Sequence, residues 1–169
     1  MEETENGWTS FESFVTMRLP ALYRYAMVLT GDRHDAEDLV QEALTRTGVR
    51  WRKVVRKDDP EGYVRTAMVR IMANRWRRPK REVVVATPPE AAVEDHRLER
   101  LLAEASLRSH ISELPPRMRA VLVLRYVEER GEEEIARLLG CSRGTVKSQA
   151  SRALARLRAA LESQEVDHG

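Results

Sequence analysis

The sequence predicts an all-α protein, two small helical domains joined by a flexible linker. Three observations carry the prediction. Apolar residues recur at a roughly 3.6-residue period through most of the chain. A stretch without that period, holding two adjacent prolines, interrupts them over residues 82–97. A short helix, a glycine turn and a longer helix then close the sequence. With 169 residues the chain suffices for one ordinary domain or two small ones.

Taken in order, Thr9 followed by Glu12 is a capping-box start. Phe11, Phe14, Val15, Leu19, Leu22, Ala26 and Leu29 make the inward stripe of a first helix ending at Gly31, with Pro20 expected to kink or split it. A second helix opens near Asp32 and runs into the fifties on Ala36, Leu39, Val40, Ala43, Leu44, Thr47, Trp51, Val54 and Val55. Gly48 in its interior costs about 1 kcal/mol of helix propensity and marks a candidate bend. Asp59-Pro60 is a cap followed by a first-turn proline, so a third helix starts there, with Tyr63, Val64, Ala67, Met68, Ile71 and Trp76 inward. In the linker, Val83-Val84-Val85 leaves a short strand or a docking segment as an alternative. Beyond it, Leu98, Leu101, Leu102, Ala105 and Ile111 form one helical stripe, and Met118, Val121, Leu122 and Tyr126 the next. Glu132 to Leu139 is a short helix stopped by Gly140, and Ser142 caps a last helix through about Ser163 on Val146, Ala150, Leu154, Leu157 and Leu161. The domains are read as 8–81 and 98–163.

A net charge of only +2 hides strong segregation. Residues 1–40 carry a net −5 and residues 41–82 a net +8, which points to two partner surfaces of opposite preference. Of the 29 basic residues 25 are arginine, the side chain suited to bidentate phosphate contacts. One cysteine, Cys141, excludes an internal disulfide and a cysteine-rich zinc site. No apolar run approaches the roughly 20 residues that span a bilayer. The first residues are acidic where a signal peptide is basic and then apolar, so a cytoplasmic protein without membrane insertion is expected.

Three constellations carry candidate chemistry. On the last helix, the face opposite Val146, Ala150 and Leu154 shows Arg143, Lys147, Ser148, Ser151 and Arg152, small or cationic groups able to meet phosphates and base edges. The plainer alternative is a helical hairpin with a solvated basic face. In the basic block, Arg70, Asn74, Arg77, Arg78 and Arg81 share one side of the third helix, and Lys53, Arg56 and Lys57 precede it. Trp51 and Trp76 lie in the same block; an indole there either stacks on an unpaired base or belongs to the core. On the second helix, His34, Asp38 and Glu42 fall four residues apart beside Asp35, Glu37 and Gln41. That series reads as a solvated face, a protein-docking face or half of a bundle metal site. A bundle site requires a Glu-x-x-His pair on each facing helix, and the helices read beside this one hold none, so no metal is expected. Scattered histidines, no glycine-rich phosphate loop and no nucleophile elbow make an enzyme unexpected, and no cofactor is implied.

At this point the motifs resemble a known family. Residues 29–43, with Asp35-Ala-Glu-Asp-Leu-Val-Gln-Glu, and the Asp59-Pro-Glu-Gly-Tyr-Val-Arg start with its Arg75-Trp-Arg-Arg ending are similar to region 2 of bacterial RNA polymerase sigma factors. Leu114-Pro-Pro-Arg-Met-Arg and Glu134-Ile-Ala-Arg-Leu-Leu-Gly-Cys-Ser-Arg-Gly-Thr-Val-Lys-Ser-Gln resemble region 4. These two regions alone are the layout of the extracytoplasmic-function (ECF) type, and the look is closest to the actinobacterial SigE-like subgroup. The resemblance implies docking on core RNA polymerase through Asp35, Glu37, Asp38, Gln41 and Glu42. It implies binding of the promoter −10 element through Trp51, Lys53, Arg56, Arg70, Asn74, Arg77 and Arg78. The −35 element would be read through Arg143, Thr145, Lys147, Ser148, Gln149, Ser151 and Arg152. It also allows an anti-sigma factor as a partner. Arg70 and Asn74 stand where the family usually has Asn and Asp, so its −10 base preference does not transfer, and Gln149 replaces a common Arg. Two other function classes compete: a stand-alone helix-turn-helix regulator of the LuxR type, and a helical metalloenzyme built on His34, Asp38 and Glu42.

Overall fold

The computed structural model describes residues 10–77 and 105–167. The chain divides into two compact units, Met1–Pro79 and Lys80–Gly169. The linker with Val83–Val85, together with Arg78 and Arg81, lies outside the described residues.

In the first unit α1 (Phe11–Thr30), α2 (Arg33–Val49) and α4 (Pro60–Trp76) pack on one another, with the single turn α3 (Trp51–Val54) after α2. The α1 cap is Ser10, one residue later than the sequence reading placed it: Ser13 N–H donates to Ser10 Oγ and Ser10 N–H to Ser13 Oγ. Pro20 neither ends nor splits α1. It sits on an exposed stretch with Thr16, so the carbonyl it leaves unbonded is open to water. Gly31 ends α1 at φ 69°, donating to the Met27 carbonyl, and Asp32 caps α2 through the Asp35 N–H at 2.9 Å. Phe14, Leu22, Ala26 and Leu29 from α1, Ala36, Leu39, Val40 and Ala43 from α2, and Val64, Met68, Ile71 and Met72 from α4 form the core. Leu19 is 42% exposed, outside the stripe expected of it.

The second helix does not run unbroken into the fifties. It stops at Val49, and the chain turns at Arg50 before α3. Just before that turn, at Gly48, an added Cβ would stand 3.0 Å from the Phe11 ring. The missing side chain lets Phe11 lie against α2, and the turn brings Trp51 onto Phe11 and Phe14, with ring centroids 5.3 and 5.0 Å apart.

Asp59 caps α4 by accepting from Gly62 N–H at 2.8 Å. A Cβ on Gly62 would strike the Asp59 carboxylate. Gly62→Ala therefore has different effects in two backgrounds. In Asp59→Ala, where the cap is already gone, it stabilises by about 0.5–1 kcal/mol through helix propensity. In the native chain it also expels the cap, which costs about 1 kcal/mol and so cancels or reverses the gain. Urea midpoints of the four proteins check this, and equal effects in both backgrounds would refute it.

In the second unit α5 (Ala105–Ser112) is followed by α6 (Pro116–Leu122), a π-helical turn (Val123–Val127), α7 (Glu132–Leu139) and α8 (Arg143–Asp167). Leu107, Ile111, Leu114, Leu122, Leu124, Ile135, Leu139, Val146, Ala153, Leu154 and Leu157 fill its interior. Arg119 is 5% exposed and donates to the Leu114 carbonyl at 2.8 Å, bracing the Pro115-Pro116 corner; burial lowers its guanidinium pKa. Gly140 ends α7 at φ 65°, and α8 continues to Asp167, past the expected end at Ser163.

Candidate nucleic-acid and partner-binding surfaces

The core stripe of α2 leaves Asp35, Glu37, Asp38 and Gln41 exposed and Glu42 half-buried on the opposite side, as the four-residue spacing requires. Three of these carboxylates, on Glu37, Asp38 and Glu42, are engaged within the chain. Arg33 Nε stands 3.2 Å from Glu37 Oε1, and Arg46 Nη2 stands 2.6 Å from Glu42 Oε1. Arg75, from α4, donates through one nitrogen to Asp38 Oδ2 at 2.9 Å and Glu42 Oε2 at 2.6 Å. Partial burial alone would lower the Arg75 pKa, but the bonds to Glu42 and Asp38 outweigh it and raise it. Sequence reasoning left Arg75 out of the docking set, because nothing local links positions 33 and 37 residues apart. Among the described residues no group of His, Cys, Asp and Glu gathers as a metal site.

On α4 the buried residues Val64, Met68, Ile71 and Met72 point one way, while Arg70, Asn74 and Arg77 are exposed. At about 100° per residue these three share an arc of about 60°. Lys53 and Arg56 are exposed before the helix, and Lys57 Nζ lies 5.2 Å above the Tyr63 ring. The turn at Arg50 packs Trp51 half-buried against Phe11 and Phe14, so part of its indole is an aromatic core contact and part stays exposed beside the cationic row. Arg78 lies outside the described residues.

The helix-turn-helix is formed by α7 and α8. Gly140 in the left-handed region turns the chain, and Ser142 Oγ accepts from Thr145 N–H at 3.1 Å. Arg143 and Lys147 are exposed, and Thr145, Gln149, Ser151 and Arg152 are half-buried. Ser148 departs from expectation. It is 8% exposed, and its hydroxyl turns back along the helix toward the Thr145 carbonyl, 3.4 Å away, so it presents no outward donor. The Gln149 side-chain oxygen is buried without a hydrogen-bond partner.

Acidic residues at the start of α7 order this motif. Glu132 accepts from Arg125 of the π-helical turn at 2.5 Å and lies 3.8 Å from Arg143, which also approaches Glu133 at 3.5 Å. The Arg125 hydrogen bond is the main cause holding the Glu132 carboxyl below its usual range, with Arg125, Lys147 and Arg143 charges adding to it. A depressed folded pKa gives stability that is complete above the unfolded value of about 4.3 and is lost as pH falls through the folded one. The stability difference between native protein and Glu132→Gln is therefore flat from about pH 7 to about pH 5 and shrinks below about pH 4. Urea midpoints across that range measure it; a pH-independent difference would exclude the ion pair as its source.

The geometry thus offers an acidic helix face, a cationic row and a helix-turn-helix with a basic leading turn. Residues 14–82 match the family model for sigma-70 region 2, and residues 104–157 match sigma-70, region 4. The chain is 42% identical over 158 residues to an RNA polymerase sigma-E factor of Streptomyces avermitilis, covering 93% of this chain and 88% of that protein. The chain belongs to the RNA polymerase sigma factors. This sigma factor is also 40% identical to the sigma-E factor of Streptomyces coelicolor over 93% of its length and 89% of the relative's. It is 33% identical to the ECF RNA polymerase sigma factor SigL of Mycobacterium tuberculosis, over 83% of this chain and 82% of that one, which places it on the ECF branch. A solved structure of the Bartonella quintana sigma factor RpoE, in complex with the anti-sigma factor NepR, has a TM-score of 0.57 and 21% identity over 90% of this chain and 96% of that one, a likeness of fold. The two matched regions are the two that the sequence motifs indicated, in the same order.

Proposed function

We propose that this sigma factor is a non-catalytic, dissociable specificity subunit that works in the cytoplasm and directs bacterial core RNA polymerase to promoters. Asp35, Glu37, Asp38, Gln41 and Glu42 dock on the polymerase. Arg70, Asn74, Arg77 and Arg78, with Lys53 and Arg56, bind the −10 element and help hold it open. Arg143, Thr145, Lys147, Gln149, Ser151 and Arg152 meet the −35 duplex, where α8 can enter the major groove while its capped N-terminus offers backbone N–H groups to a phosphate. The domains run over 8–81 and 98–163, with 82–97 as the tether. The observation that carries this reading is the succession of regions 2 and 4 in one chain that matches sigma factors over nearly its whole length.

The electrostatic layout supports the division of labour. A cationic row neutralises phosphates by releasing counterions, and so favours DNA over a basic protein surface. The acidic face of α2 has the reverse preference. Reconstitution with bacterial core polymerase, followed by run-off transcription on fragmented genomic DNA with start-site mapping, tests the proposal. New start sites sharing paired −35 and −10 elements are expected. Specific duplex binding to a palindrome without polymerase would instead identify a stand-alone regulator.

A further inference from the structure

The acidic face of α2 is less open than its sequence describes. Glu37, Asp38 and Glu42 each carry an arginine of the same chain, and Glu42 carries one on each oxygen, Arg46 on Oε1 and Arg75 on Oε2. Arg33 and Arg46 lie four residues from their partners on the same helix, and such pairs accompany any helix with that spacing. Arg75 is of another kind. It reaches across from α4, on the side of that helix facing α2, while Arg70, Asn74 and Arg77 occupy an exposed arc elsewhere. Its Nη2 spans two carboxylates one helical turn apart, which is where a cation of a docking partner would sit. The contact is accessible, since the side chains of Arg75 and Asp38 are 43% and 61% exposed. Asp38 thus gives an incoming cation a first point of entry.

We propose that Arg75 is an internal occupant of the carboxylates through which α2 docks on core RNA polymerase, so that docking is an exchange in which a cationic partner surface displaces Arg75 from Asp38 and Glu42. The inference rests on the reading of α2 as the docking surface. An occupant that must leave first lowers the apparent affinity by the fraction of time the carboxylates are free. A half-exposed bridge is closed only a few times more often than open, so the reduction is about three- to tenfold. The exchange also mutes the salt dependence of docking, because Arg75 already neutralises part of the face.

The test is a titration of fluorescently labelled full-length chain with bacterial core polymerase, at low and at high salt. The proteins compared are native, Arg75→Gln, Arg75→Lys, Asp38→Asn with Glu42→Gln, and the triple variant. Arg75→Gln is expected to bind about three- to tenfold tighter at low salt and to show a steeper salt dependence than the native chain. Arg75→Lys keeps the charge but not the planar fork, and falls between them; it carries the test if the glutamine variant melts early. In the Asp38→Asn, Glu42→Gln background, removal of Arg75 gains nothing. Unchanged or weaker binding of a folded Arg75→Gln would overturn the inference while leaving the docking surface intact. Native affinity in the Asp38→Asn, Glu42→Gln protein would instead overturn the docking reading itself.

Discussion

Replacing Asp38 and Glu42 by lysine is expected to abolish co-elution with core RNA polymerase. The change moves the face by four charge units, turning attraction toward a cationic partner into repulsion. A loss of at least about a hundredfold in affinity, or about 3 kcal/mol, follows. The structure adds a second effect. The new lysines would face Arg46 and Arg75, so three ion pairs vanish and like charges meet. Surface pairs contribute about 0–1 kcal/mol each, so stability falls modestly. The helix itself stays anchored, because Ala36, Leu39, Val40 and Ala43 lie on its other side, all but Val40 fully buried. Gel filtration with core polymerase, paired with a circular-dichroism melt of the same sample, separates the two effects. Retained co-elution would remove α2 as the docking surface.

Phe14→Ala is expected to be the most damaging single truncation in the first unit. Phe14 is 0% exposed and lies under the Trp51 indole. Cutting a buried phenylalanine to alanine costs about 3–5 kcal/mol, against typical total stabilities of about 5–15 kcal/mol. The melting temperature should fall by about 15 °C or more. Val127→Ala, at a valine 49% exposed, should stay within about 0.5 kcal/mol of native. A Phe14→Ala protein melting within a few degrees of native would mean that α1, α2 and Trp51 hold together without the aromatic contact.

Much of this molecule is legible from local chemistry. Asp59-Pro60, Gly31, Gly140 and Ser142 act within a single turn, and each starts or ends a helix where its residue type requires. The stripe from Ala36 to Ala43 fixes which side of α2 is buried, and so which side shows the carboxylates. Trp51 was ambiguous for a physical reason. An indole on an apolar stripe beside arginines suits either a core or a base, and only the turn at Arg50 directs it onto Phe11 and Phe14. Ser148 looked outward by helical angle alone, yet its burial depends on what surrounds that turn of α8. Gly48 read as a weakness in a helix, and its use became visible only with the Phe11 ring against it.

The sequence by itself determined the all-helical fold class, the two sigma regions and their order, and the opposite charges of α2 and the block that follows. The fold class and the charge pattern rest on periodicity, capping and composition, and the two regions on the resemblance of their motifs to a known family. All of these are read over a few residues and need no tertiary partner. The tertiary structure decided where the charges are spent. Arg75 sits among the basic residues in sequence but on the acidic face in space, and Arg143 leans toward Glu132 and Glu133. Ion pairs between helices depend on how those helices pack, and that packing is set by the buried side chains of every element at once.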